Sequence, residues 1–545
     1  MSGFLPGDDH THYPVAIVGA GPCGLTLANL LGGYGIRTLL LERNASTVAE
    51  PRAVSIDDES LRTLQNMGLL DCVLPDLVLG YGVHYFSWSG REFARIEPTS
   101  REYGHPKRNA FRQPLLEARL LEGLGRLASV DVKLSTELKR FDDNGARVAL
   151  EVEGPAGPAA FSCDWLIGCD GGRSGVRAAL RVENFGTTYA ERWLIVDLAD
   201  RPDPFVHTRT YCDPRRPAIR LPGPHRTLRY EFMLFQHESP EDVLDEAQIR
   251  AWMRARVVSD EHLPLVRKVV YTFHARMAER WKVGRVLLAG DCAHLTPPFA
   301  GQGMNSGVRD AFNLAWKLAA VCRGEFAAAL LDTYEEERKP HAWSLIAMAL
   351  RIGRFMQPKT RLAAMAMQGA LRVAGLYAPA RDYVLQLKFK PKPRFDAGFF
   401  VRGGPQDGVR AGQLFPQPVI ERRDGVRMLL DDLLGPRFAY IGWQADGVPP
   451  VLATLAPGFR PQALSLLRKG DAFGAADGEP ALRDCEGVIE KTLVAAGAQG
   501  VLLRPDRYVL AYLSAADCVG GILVLRELLQ RSVVGSQAPD FPAPR

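Results

Sequence analysis

No two of the nine cysteines are spaced as C-x-x-C, and they lie scattered from Cys23 to Cys518. That spacing offers neither a zinc site nor a dithiol redox motif, and the odd count argues against a disulfide framework. Long apolar runs are missing too: nothing approaches the ~18 consecutive apolar residues of a membrane-spanning helix. The opening "MSGFLPGDDHTHYP" has no basic patch followed by an apolar stretch, so it does not read as a secretion signal. Charge of one sign is scarce. Lysine and arginine number 67 against 62 acidic residues, a formal +5 spread along the chain, with no basic block suited to nucleic acid. These absences predict a cytoplasmic protein that binds no metal, membrane or nucleic acid. What is present, 47% hydrophobic and 24% charged residues, is the composition of a globular protein. At 545 residues, two or three domains are expected.

The first forty residues read as a βαβ unit: "VAIV" a buried strand, "GAGPCG" a turn, "LTLANLLGGYG" a helix and "RTLLLE" a second strand. Gly19, Gly21 and Gly24 form G-x-G-x-x-G at that turn. Gly19 serves the tight turn, Gly21 lets a pyrophosphate approach the backbone, and Gly24 lets helix and strand pack closely. The helix N-terminus then offers free N–H groups to phosphates. Glu42 ends the second strand at the distance suited to ribose hydroxyls. The motif indicates a dinucleotide and leaves FAD and NAD equally open.

Two further turns follow strands: "DGGRSGVR", starting at Asp170, and "GDCAHLTPPFAGQGMNSG", with Asp291 in second place. Either aspartate alone could simply cap the next helix. With the first turn, however, they resemble the "DG" and "GD" fingerprints of the flavin-dependent aromatic hydroxylases. Longer stretches, among them "PRAVSIDDESLRTLQNMGL", "HPKRNAFRQPLLEARLLEGL" and "CDPRRPAIRLPGPHRTLRYEFM", are similar to the 3-(3-hydroxyphenyl)propionate (3-hydroxycinnamate) hydroxylases within that family. The likeness runs from about Val15 to the proline-rich stretch after Leu387, and more weakly beyond.

The resemblance implies an α/β fold in which a Rossmann-like FAD-binding domain is interleaved with a mixed-sheet substrate domain, followed by a thioredoxin-like α/β domain. The expected boundaries are 1–80, 105–185 and 281–390 for the FAD-binding segments, the last with a helical region. The substrate domain takes 81–104 and 186–280, a linker 391–410, and the last domain 411–545. Lacking C-x-x-C, that last domain is expected to be a separable structural module, with only Cys485 and Cys518. The implied reaction uses FAD, O₂ and NADH or NADPH to hydroxylate a phenol ortho to its OH through a C4a-hydroperoxyflavin. The implied substrate is a phenolic acid, and a homodimer is left open.

The resemblance also suggests site residues. Asp291 would accept from the ribityl hydroxyls, and Gly301, Gly303, Met304 and Asn305 would bring backbone to the flavin ring. Arg52, Gln113 and Arg112 would contact the cofactor, Arg43 would follow Glu42 at its ribose end, and Asp170 and Arg177 belong to the turn tied to FAD and NAD(P)H. Pro298 matches a loop proline whose carbonyl lies near the substrate ring. His294 is a candidate base, against a structural donor in the loop. A carboxylate tail needs a cation, and "DPRRPAIRLPGPHRTLRY" offers Arg215, Arg216, Arg220, Arg226 and Arg229, of which Arg220 is taken as the candidate, with Tyr211, His225 and Tyr230 to orient a phenol. The W-x-W segment of the tryptophan halogenases is absent. A plain flavin oxidoreductase and a non-catalytic flavoprotein are the other readings.

Overall fold

The computed structural model describes residues 11–529, except 359, 406, 444–458, 469, 472, 474–479, 514–524 and 526. Its first strand, His12–Val18, pairs in parallel with Thr38–Leu41 on one side and Gly157–Gly168 on the other. Val130–Lys133 and Val286–Leu288 extend the parallel sheet outward on either side. Val15, Ala16, Ile17 and Leu39 to Leu41 are buried, as befits parallel strands covered on both faces. The helices Pro22–Gly33 and Gly303–Cys322 pack together against this sheet. An antiparallel ribbon, Glu137–Asp143 with Val148–Gly154, hangs from Gly157–Gly168.

A second, mostly antiparallel sheet of eight strands stands beside the first. Its core is Asn184–Leu198, Leu228–Leu234, Ala218–Pro222 and Thr208–Cys212 in that order, continued by Val83–Ser87 and Glu92–Ile96. On the opposite edge, Leu265–Ala278 pairs with the two-residue strand His294–Leu295. Thus the third glycine turn is stitched to both sheets.

The last sheet has parallel strands Ala439–Trp443, Gln462–Leu467 and Ala481–Asp484, with Gly500–Leu503 and Val509–Leu513 antiparallel beyond the first, a thioredoxin-like arrangement. Its attachment differs from the expected linker and separable module. Phe395, Phe399 and Phe400 of the proline-rich stretch are buried in one cluster with Trp316 and Phe326 and with the core of this sheet. Buried ion pairs complete the junction: Arg62 with Asp431 at 2.7 Å and Arg504 with Glu337 at 2.7 Å. Composition alone suggested a tether because proline and glycine interrupt elements, but the interspersed phenylalanines anchor the segment. Cys485 is exposed and unpaired; Cys518 lies outside the described residues. No described helix is long and apolar enough to cross a membrane.

Candidate active site

A cavity open to solvent runs from the first glycine turn to the inner face of the second sheet. At one end lie Gly21, Cys169, Gly171 and Asp291; at the other, Tyr81, Tyr85, Ile219 and Glu231. Pro298, Gly301, Gly303 and Met304 lie along its wall.

The first turn is shaped for close approach. Gly19 has φ +105° and lies against the backbone of Cys169, where a Cβ would collide. Gly21 faces open space at the N-terminus of Pro22–Gly33, a helix start that no side chain caps. Its backbone N–H groups are therefore available to an anion. Glu42 accepts from Ala20 N–H at 2.8 Å and also binds Asn44, so it braces the turn while ending the adjacent strand. Arg43 beside it is exposed.

The second turn holds itself and the third together. Asp170 accepts from Ser174 Oγ at 2.5 Å, Gly175 N–H at 2.7 Å and the Cys292 thiol at 3.0 Å. Arg177 donates to the carbonyls of Gly172 and Cys292, each at 2.8 Å. Neither side chain lines the cavity. In the third turn the Asp291 side chain opens on the cavity and is exposed there. Desolvation raises its carboxyl above the usual range, against the pull of His294 and Arg52. Asn305 joins the glycine loop to the segment after Arg52: it accepts from Asp57 N–H and Ser60 Oγ, and donates to the carbonyls of Ser55 and Gly301. Gln113 accepts from Ala53 N–H at 2.7 Å and donates to Glu117. Arg52 and Gln113 line the cavity, whereas Arg112 precedes the helix Gln113–Leu124 and does not.

His294 does not reach the cavity. It is buried with Nε2 2.7 Å from Asp310, which also takes Arg338 at 2.9 Å, so its place is structural. Arg220, expected as the carboxylate anchor, does not reach the cavity either. On strand Ala218–Pro222 its neighbours Ile219 and Leu221 face the cavity, so alternation turns Arg220 to the opposite face. There it is fully buried against Asp260 at 2.6 Å, with Asp203 and, through Asp260, Tyr230. Arg215, Arg216 and Arg229 pair with Asp213, Glu238 and Asp197, and Arg226 donates to backbone carbonyls. Tyr211 shares the Arg220 face, and His225 sits at a turn against Asp76.

Four cavity groups escaped the sequence reading. Arg108 donates to Tyr81 OH at 3.0 Å and lies over that ring; its Nε is buried without a partner, and no described carboxylate pairs with it. Glu231 is buried on the inner face of its strand, where desolvation raises its carboxyl to about 7. Glu117 behaves similarly, raised by desolvation to about 7 although Gln113 and Val48 N–H bind it. Lys390 reaches back from the distant proline-rich stretch to Asp57 at 3.0 Å and Glu59 at 3.1 Å, which also hold Arg309. A strand, a helix and two loops far apart in sequence supply these side chains, and they meet at one cavity only when the chain is folded.

The residues fit FAD: uncapped N–H groups for the pyrophosphate, a carboxylate opening on the cavity for the ribityl chain, and a glycine loop beside the space for the ring. Residues 12–349 match the FAD binding domain family and 412–522 the HcaD C-terminal domain family. A 3-(3-hydroxy-phenyl)propionate/3-hydroxycinnamic acid hydroxylase of Mycolicibacterium smegmatis is 41% identical over 79% of this chain and 76% of its own. The protein of the same name from Escherichia coli is 38% identical over 91% of both chains. Among solved structures, aklavinone-11 hydroxylase with FAD and aklavinone superposes with TM-score 0.76 at 25% identity, covering 96% of this chain and 98% of its own. The flavin-dependent monooxygenase PieE shares the fold with TM-score 0.80 at 22% identity over 95% and 99%. Since the likeness spans the cofactor turns, the chamber beside them and the last sheet, the chain belongs to the family of FAD-binding aromatic hydroxylases and is a flavin-dependent monooxygenase.

Proposed function

We propose that this enzyme hydroxylates a phenol carrying a short carboxylate chain, such as 3-(3-hydroxyphenyl)propionate, ortho to its hydroxyl. The balance is phenol, O₂, NAD(P)H and a proton giving catechol, water and NAD(P)⁺, a reaction suited to the cytoplasm. FAD, when bound, supplies the redox chemistry that activates O₂. The observation that carries the substrate reading is Arg108, a cavity cation with no described carboxylate partner, steadied by Tyr81. A guanidinium in that setting recognises a carboxylate by charge-assisted hydrogen bonds. The names of the relatives above support the same class.

In this reading Gly19, Gly21 and Gly24 seat the pyrophosphate, Glu42 the ribose, and Asp291 the ribityl chain. Gly301, Gly303 and Met304 border the flavin ring, and Pro298 lies beside the substrate. Asp170, Arg177 and Asn305 act by holding these turns in place. Mass spectrometry of the product from 3-(3-hydroxyphenyl)propionate tests it, with one added oxygen expected. Turnover of uncharged phenol alone would remove the carboxylate part. Arg108→Met should raise KM for the carboxylated phenol by roughly 10- to 100-fold, the worth of a hydrogen bond to a charged group, and leave KM for phenol itself little changed.

A further inference from the structure

We propose that Glu231 accepts the proton of the substrate's phenolic hydroxyl. Strand register places it in a cross-strand row, Tyr85–Thr210–Ile219–Glu231–Ile195. The first four members line the cavity, so this is an acid set on an otherwise largely apolar wall where an aromatic ring would lie. It has no hydrogen-bond partner among the described residues, although it is only 6% exposed. The other carboxylates at the cavity are committed. Asp57 is held by Arg309 and Lys390, and Glu117 by Gln113 and Val48 N–H. Asp291 belongs to the cofactor end.

The charged groups acting on Glu231 are Arg229 and Asp197. They bind one another at 2.7 Å, and Arg267 joins Asp197 at 3.3 Å, so neither neutralises the carboxylate. A buried acid serving only the fold would be expected to carry a partner, as Asp197 on the same sheet and Asp260 packed beside it do. An unpaired one in a cavity is the mark of a group awaiting a ligand. The desolvation that raises its carboxyl also makes it a stronger base than a solvated glutamate.

The proton bookkeeping closes. The phenolic O–H bond breaks, its proton passes to Glu231, and the electron pair stays on oxygen, enriching the ortho carbon. The ring then gains one oxygen atom of O₂ as the O–O bond breaks, and the second oxygen leaves as water, its electrons and protons drawn from NAD(P)H and solvent. As aromaticity returns the ring proton passes to solvent, which replaces the proton taken up in forming that water, and Glu231 gives its proton back to the original oxygen. The assignment rests on the reading of the site as a phenol hydroxylase.

The test compares full-length, FAD-loaded wild type with Glu231→Gln. The probes are 3-(3-hydroxyphenyl)propionate and phenol, and the comparison uses whichever the wild type hydroxylates, so the carboxylate reading and this assignment fail separately. Flavin content and thermal unfolding check the fold. At pH 7.5 the variant should hydroxylate about 10²- to 10³-fold more slowly, while phenol still binds in a spectral titration. Its deficit should shrink as pH rises toward about 10, where a phenol ionises unaided. A purely structural role would not give that recovery. A variant within threefold of wild type at pH 7.5, or one depressed equally at every pH, overturns the assignment. Wild type that hydroxylates neither probe overturns it together with the functional reading.

Discussion

At the scale of single residues, Glu231 links chemistry to stability. Its folded-state value of about 7 lies above the ordinary 4.5, so between these values the folded chain binds more protons than the unfolded one. Stability associated with this group is therefore greatest at low pH, declines as pH rises through that window, and is down by about 3 kcal/mol above it. Glu231→Gln removes the penalty. The expected result is a variant whose Tm advantage over wild type grows from pH 5 to pH 8, read by scanning calorimetry. A Tm difference independent of pH would contradict it. Parity along a strand also explains what the sequence left undecided. Arg220 and Glu231 are both charged residues in strands of an antiparallel sheet, and each strand turns alternate residues to opposite faces. Nothing local states which face meets the cavity. That information resides in the register with Thr208–Cys212 and Asn184–Leu198, fixed only when the sheet forms.

At the scale of elements, the glycine turns were legible because each needs a particular local chemistry: no side chain at Gly21, a carboxylate at the end of a strand. Their mutual bonding was not. Asp170, Arg177 and Asn305 read as cofactor ligands, yet they spend their hydrogen bonds on neighbouring turns. The consequence is measurable at Asn305. Asn305→Ala strands Asp57 N–H and two carbonyls in the interior, each worth roughly 1–3 kcal/mol when left unsatisfied. It should loosen the segment Gly301–Gly303 against Ser55. Flavin absorbance surviving gel filtration should fall while the far-UV circular dichroism stays unchanged. Full FAD retention would show that the loop is held by other means. If Asp291 holds the ribityl chain as proposed, Asp291→Ala should also lose FAD, without lowering Tm of the FAD-free protein.

At the scale of the whole molecule, the final sheet grips the back of the helix whose front end is the glycine loop. Asn313 on Gly303–Cys322 donates to both Glu337 and Asp506, and Trp316 packs into the same cluster as Phe399. Asp431→Ala would leave Arg62 and Arg507 buried without their carboxylate. Removal of one partner from such a group costs about 3–5 kcal/mol. Thermal unfolding should report that loss, and limited proteolysis should show earlier cleavage near 402–410. Unchanged stability would mean the junction does not depend on these charges.

The bonding of the three turns among themselves has a consequence for how such an enzyme can change its diet. The hydrogen bonds that fasten the three turns to one another bypass the inner face of the second sheet, which meets the third turn through Phe299 on Trp193 and Phe273. Thr210, Ile219 and Leu221 on that face line the chamber without bonding any of the three turns. They are free to vary in size and polarity while the oxidising machinery stays loaded. A combinatorial library at these three positions should yield mostly yellow, folded proteins, with phenol preference drifting independently of flavin content. Catalytic power and substrate choice are in this way inherited separately, and one scaffold can be redirected to new aromatic compounds by small steps that leave its cofactor in place.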